Sequence, residues 1–457
     1  MNPGSGRPLV VQKFGGTSVA TAERILHCAG RTAGLVRAGH RAVVVVSAMG
    51  GATDELIGLA RQVNPRPPER EMDMLLATGE QASTALFTMA LDGLGVPAVG
   101  FTAHQVGIHT DGVFQRARIT GVDASRVRRE LRAGKVCVVA GFQGITDQLD
   151  VTTMGRGASN ITAVALAAVL GAERCEILTD VDGVYTADPR MVSGARRMER
   201  ISHEEIMELA SMGARVMQTR TVELAKKNGV KLLIGSSFVE GPGTLVVEED
   251  REMEEVVISG LVLNTNEAKV TVEAVSDEPG MASRIFELLA ERHINVDMIV
   301  QNVSGEAGCT DVTFTVGKPE LGAARDAAGT LVREGVARGF RADERVAKLS
   351  AVGLGMRTHA GVAARMFKTL GSEGVNIQLI STSEIKISVV VDESDGPRAV
   401  RALHRAFELE ATGRRTSGGR SLPGRGKSPA RKIKPAGRGK KKVEKTTRQK
   451  TGRRKKT

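Results

Sequence analysis

Apolar, β-branched runs at residues 9–11, 42–47, 136–140 and 175–179 alternate with segments of helical spacing at 21–36 and 160–170, the signature of strands and helices in turn. Such alternation predicts a mostly parallel sheet covered by helices on both faces. Thr53 stands where it could cap a helix carrying Asp54 and Glu55. Prolines 65, 67 and 68 interrupt the pattern and predict an exposed loop.

The pattern changes after residues 245–255, and the chain beyond them contains a repeat. The segment beginning at Pro279 aligns with the one beginning at Ala360: Gly280 with Gly361, Ala282 with Ala363, Arg284 with Arg365, Phe286 with Phe367, Leu289 with Leu370, Asn295 with Asn376. Strand-like runs at 269–275 and 347–352 precede the copies, and others at 310–316 and 385–391 follow them. A βαββ core occurring twice is the predicted unit.

At 457 residues the chain has room for two to four domains. No apolar run approaches the roughly 20 residues of a membrane span. The start lacks the charged and apolar regions of a signal peptide, and Cys28, Cys137, Cys175 and Cys309 show no CxxC spacing. A cytoplasmic protein without disulfides or a protein-bound metal is expected. The net charge of +12 suggests nucleic acid until it is located. Residues 411–457 hold 19 of the 64 Lys/Arg and one acid, Glu444, so the rest carries 45 basic against 51 acidic groups, a net of −6. The basic segment has no Phe, Trp or Tyr and predicts a disordered tail capable of salt-sensitive contact with polyanions; a solvated tail without a partner is the alternative.

Candidate chemistry lies at the strand ends. Lys13-Phe14-Gly15-Gly16-Thr17-Ser18 joins a strand to a helix, where glycine amides approach phosphate oxygens and a lysine adds positive charge, although the spacing is not that of a Walker loop. A second glycine-rich turn, 152–160, carries Arg156, suited to gripping a carboxylate. Glu80 reads as sitting at a helix start, where capping alone would account for it; otherwise it is a counter-ion for a substrate ammonium. The segment 179–190 leaves a strand end with Thr179, Asp180, the sole tyrosine Tyr185, and Arg190, at the usual ligand edge of an open α/β sheet. Arg215, in Gly213-Ala214-Arg215, adds a cation near a helix.

In order, the strings KFGGTS, SAMGGATDEL, TGEQAS, GRGAS, TDVDGVYTADPR and GARVMQTRTVELA, followed by INVDMIVQN and VNIQLISTSEIKISV, resemble the aspartate kinases of the amino-acid kinase superfamily. The resemblance extends over residues 8–410 and is nearest to the monofunctional, lysine- and threonine-regulated type. It implies an α/β amino-acid kinase domain over residues 1–247, ACT domains of βαββαβ, ferredoxin-like form over 248–340 and 341–410 with strands exchangeable between them, and the basic tail, 411–457. It also implies ATP and L-aspartate as substrates and Mg²⁺ with the nucleotide. Lys13, Gly15, Gly16, Thr179, Asp180, Tyr185, Arg190 and Arg215 match nucleotide-binding positions. Ser47, Thr53, Glu80, Arg156 and Ser159 match the aspartate pocket, and Lys13, Arg156 and Asn160 match catalytic positions. Asp277, Gly280, Ala282, Asp297, Gln301, Asn376 and Ile377 match positions that contact amino-acid effectors, lysine or threonine, at ACT interfaces of a homodimer or larger oligomer. Loop and capping chemistry is the alternative for each. Met253 could start a separate regulatory subunit.

Three departures from the family pattern stand out. Asn160 replaces an aspartate thought to orient the phosphate-binding lysine, Arg215 stands where lysine is usual, and Ala158 adds a methyl to a turn that usually has glycine. Asn160 keeps open a second reading, a weakened paralogue that senses amino acids, while the tail alone favours a nucleic-acid-binding protein.

Overall fold

A computed structural model describes residues 6–155, 157–212, 217–250, 253, 255–303 and 308–410. Arg156, Arg215 and the tail 411–457 therefore lie outside the described residues.

Eight strands form the first sheet, in the order Arg200–Ser202, Thr244–Val247, Leu232–Ser236, Arg174–Thr179, Leu9–Phe14, Arg41–Val46, Val136–Ala140, Ala98–Phe101. Only the pair Leu232–Ser236 and Thr244–Val247 is antiparallel. Every residue of Leu9–Phe14 is buried, because helices cover both faces and alternate side chains serve different layers. Val11, Val43, Val45 and Ile177 pack in one core with Val164 and Leu166 of the helix Ser159–Leu170. Phe14, Val44, Val46 and Leu178 pack in the other with Ile25 of the helix Ala22–Arg37 and Phe87 of the helix Glu69–Gly93.

Two local expectations are corrected. Thr53 is not a cap: Gly51 holds that position at φ 89° and Thr53 lies inside the helix Ala52–Val63. Only a residue free of a Cβ takes that left-handed conformation cheaply. Glu80 is not at a helix start but midway along the 25-residue helix Glu69–Gly93, so the capping explanation does not apply to it.

The second sheet has six strands, in the order Val296–Val303, Cys309–Gly317, Gly260–Ser276, Gly339–Val352, Lys386–Asp392, Leu379–Thr382. The duplicated segments become the helices Met281–Glu291 and Val362–Ser372, entered through Gly280 at φ 97° and Gly361 at φ 93°. The two longest strands serve both units. Residues 267–273 pair with 339–346 in the first unit, whereas Gly260–Asn264 pairs with Lys348–Val352 in the second. The residue 340/341 boundary thus falls within one continuous strand. A ferredoxin-like unit needs a fourth strand beside its first, and the second repeat brings only three of its own; the start of Gly260–Ser276 fills the vacancy. At this junction the buried Lys348 pairs with Glu267 at 3.0 Å and also with Asp297. Among the described residues, no helix is long and apolar enough to cross a membrane.

Candidate active site

Parallel pairing delivers the loops of interest to one edge of the first sheet. Phe14 pairs with Val46 and with Leu178, and the chain ends are then tied together: Ser47 N–H donates to Phe14 O at 3.1 Å, Gly15 N–H to Leu178 O at 3.3 Å, and Gly141 N–H to Val46 O at 3.0 Å. Lys13, Gly15, Gly16, Ser47 and Thr179 are brought together in this way.

Lys13 belongs to the strand itself, which continues to Phe14 beyond the expected 9–11, and its side chain is buried. No carboxylate among the described residues lies within ion-pair distance of it. Burial pulls its ammonium down to about 8, against smaller opposing pulls from Cys175 and Asp180. A buried cation lacking a fixed counter-ion is well suited to meet an anionic ligand.

Glu80 approaches from the helix Glu69–Gly93. The close approach depends on Gly79, where a Cβ would stand 2.9 Å from the Cβ of Ala48. One Glu80 oxygen accepts the Ala48 N–H at 2.9 Å; the other, Oε2, is buried without a hydrogen-bond partner among the described residues. Burial pushes the carboxyl up to about 7, the Ala48 hydrogen bond offsetting part of that. An unsatisfied buried carboxylate beside Ser47 fits an ammonium ligand.

The helix Ser159–Leu170 packs against Leu9–Phe14 and points its start at the same edge. Gly141 makes room for it, since a Cβ there would sit 2.6 Å from the Cβ of Ser159. Asn160 donates its amide to Met217 Sδ at 3.7 Å, and its Oδ1 is buried without a partner among the described residues. Ala158 takes an ordinary right-handed conformation, φ −68°, with its methyl buried beside Met72, Phe142 and Met154. The methyl is accommodated without backbone strain because position 158 does not need positive φ, unlike Gly155 and Gly157.

Asp73 escaped the sequence reading. Fully buried, it accepts the Gln115 N–H at 2.9 Å, the Thr153 N–H at 2.7 Å and the Thr153 hydroxyl at 2.7 Å, and so anchors the strand Val151–Thr153 that enters the glycine-rich turn. The available signal was an acid between the apolar Met72 and Met74 of a helix.

Asp180, Tyr185 and Arg190 follow the strand Arg174–Thr179. Asp180 is exposed. Tyr185 donates its hydroxyl to Asp182 at 2.8 Å, while Arg190 grips Asp188 at 2.7 Å, which holds that carboxyl below its usual range. Arg190 is thus occupied at the surface in this state.

Residues 8–236 match the amino acid kinase family, and residues 270–332 and 349–407 each match an ACT domain. An aspartate kinase of Pseudomonas fluorescens is 51% identical over 409 residues, 89% of this chain and 99% of its own. An aspartokinase of Corynebacterium glutamicum is 49% identical over 405 residues, 88% of this chain and 96% of its own. The chain belongs to the aspartate kinase family. Among solved structures, E. coli aspartokinase III in complex with aspartate and ADP has a TM-score of 0.71 at 27% identity, covering 87% of this chain and 99% of its own. The same enzyme with lysine and aspartate gives 0.71 at 26%, covering the same shares.

The residues matching effector positions fall in two places. Asp277, Gly280 and Ala282 form the exposed entrance to the helix Met281–Glu291, and Asp297 and Gln301 lie on the neighbouring edge strand, Val296–Val303. Asn376 and Ile377 precede the opposite edge strand, Leu379–Thr382. Asp297 is engaged by Lys348.

Proposed function

We propose that the chain transfers the γ-phosphoryl group of ATP to the β-carboxylate of L-aspartate, giving 4-phospho-L-aspartate and ADP, the step that opens lysine, threonine and methionine biosynthesis. The observation that carries this is the presence, at one sheet edge, of a buried lysine without a counter-ion and a buried carboxylate with one unsatisfied oxygen, both among the described residues.

The chemistry asks little else of the protein. A carboxylate oxygen of aspartate forms the new bond to phosphorus as the bond to the ADP oxygen breaks, with no proton to remove, so catalysis is positioning and charge neutralisation. Lys13 offsets the charge of the transferred group. Glu80 receives the α-ammonium, Arg156 the α-carboxylate, and Ser47, Thr53 and Ser159 line the pocket. Gly15, Gly16, Thr179, Asp180, Tyr185, Arg190 and Arg215 hold the nucleotide. The donor set fits Mg²⁺ arriving on ATP: among the described residues no three His, Cys, Asp or Glu side chains gather as a metal site, while Asp180 offers one exposed carboxylate, and Mg²⁺ is ordinarily held by phosphates, water and one or two such groups. When bound, it neutralises phosphate charge.

The ACT pair supports control by lysine, threonine or both, in a homodimer or larger assembly. The test is aspartyl-hydroxamate formation with ATP, Mg²⁺ and L-aspartate, with and without the two amino acids, alongside Asn160→Asp. Turnover suppressed by the amino acids is the expected result. Turnover only in Asn160→Asp would favour the sensing paralogue, and none in either would refute the assigned site.

A further inference from the structure

Beyond its entry segment, the loop between Thr179 and Arg200 is built into the second ACT unit. Residues 184–198 fold back on themselves, with Thr186 N–H donating to Arg196 O at 2.9 Å and Met198 N–H to Val184 O at 2.8 Å. At the tip, Ala187 and Val192 are buried in the same apolar cluster as Leu349, Met366, Val389 and Leu403 of that unit. Ala195 forms a β-bridge with Glu410.

Thr186 is the centre of this attachment. It is fully buried. Its carbonyl accepts the Leu261 N–H at 2.8 Å; its hydroxyl oxygen accepts the Arg196 N–H at 2.9 Å, lies 2.9 Å from His404 Nε2, and is 3.5 Å from Leu409 O. His404, on the helix Gly396–Ala406, is equally buried, and its other ring nitrogen, Nδ1, has no partner among the described residues. Donor accounting selects one arrangement. A proton on Nδ1 would leave a buried donor unsatisfied, whereas a proton on Nε2 is donated to Thr186, which passes its own hydroxyl hydrogen to Leu409 O. Burial also holds the imidazole below its usual range, favouring the neutral ring this requires.

We propose that His404 is a positioning residue for the nucleotide: through Thr186 it fixes the loop that carries Asp180, Tyr185 and Arg190, so that the last helix of the ACT region sets how well ATP is held. The proposal rests on the nucleotide reading of that loop. Asp180→Ala therefore serves as a control on the reading itself.

The experiment is steady-state kinetics on the full chain with His404→Asn, whose amide reaches only the place of Nδ1, His404→Gln, whose amide reaches that of Nε2, Thr186→Val and Thr186→Ser. Loss of one buried hydrogen bond predicts a rise of about five- to thirty-fold in KM for ATP in His404→Asn and Thr186→Val, with KM for aspartate little changed and recovery in His404→Gln and Thr186→Ser. If Thr186→Val does not fold, the asparagine–glutamine pair still decides. A raised KM in Asp180→Ala with an unchanged one in His404→Asn, whatever the melting temperature does, would overturn the positioning role. An unchanged KM in Asp180→Ala would overturn the nucleotide reading beneath it.

Discussion

If Glu80 receives the substrate ammonium, kcat/KM for aspartate must follow its ionisation, because only the carboxylate form attracts that group. Burial sets the carboxyl at about 7 in the free protein, so about a tenth is ionised at pH 6 and about nine-tenths at pH 8. Measured at saturating Mg-ATP, kcat/KM for aspartate should rise about tenfold from pH 6 to its plateau. A glutamate at its ordinary value would give a flat line over that range. Glu80→Gln should abolish the rise and cost about 10- to 100-fold at pH 8, the usual loss for a hydrogen bond to a charged group. The same substitution has an opposite effect on stability. A carboxyl whose folded value lies above its unfolded one loses protons on unfolding, so the fold weakens as pH rises from about 4.5 to about 7. Glutamine removes that penalty, keeps an acceptor for the Ala48 N–H, and should raise the melting temperature at pH 8 but not at pH 4. A kcat/KM for aspartate independent of pH between 6 and 8 would refute the role given to Glu80.

Lys13 must carry its proton to meet phosphate, so kcat/KM for ATP should fall as pH rises through about 8; Asn160→Asp should move that fall to higher pH and increase turnover, and an unmoved limb would show that position 160 does not act on Lys13. In Gly79→Ala the new methyl meets Ala48; a stability loss of about 1–3 kcal/mol together with a raised KM for aspartate is expected by denaturant titration and kinetics, and stability loss alone would count against Gly79 as the residue that lets Glu80 reach its place. Removal of residues 411–457 should leave turnover intact while abolishing salt-dependent retention on duplex DNA, and equal retention of both forms would assign that binding to the body.

Local order was legible in the sequence because period-two and period-3.6 patterns report burial directly. The run 136–140 is a strand with those bounds, and the repeat after Pro279 became two helices of equal length entered through equivalent glycines. The chemistry of KFGGTS and of 179–190 was visible for a related reason: loops at the ends of parallel strands are where ligands bind, so motif and position agree. Glu80 was placed on the wrong part of its helix, since Thr78-Gly79 looks like a break. Gly79 marks a close approach to Ala48 instead, which depends on a loop more than 30 residues away in the chain.

Composition and spacing alone thus determined an α/β sheet, a duplicated C-terminal unit and a set of strand-end residues. Tertiary structure decided what pattern does not encode. Asp73 matters because Thr153, from a distant strand, comes to it; Thr186 matters because His404, 218 positions away, is buried beside it; and the second ACT unit is completed by the start of the strand that also opens the first. Each of these is a long-range pairing in which buried polar groups satisfy one another, and no window of neighbouring residues contains both partners.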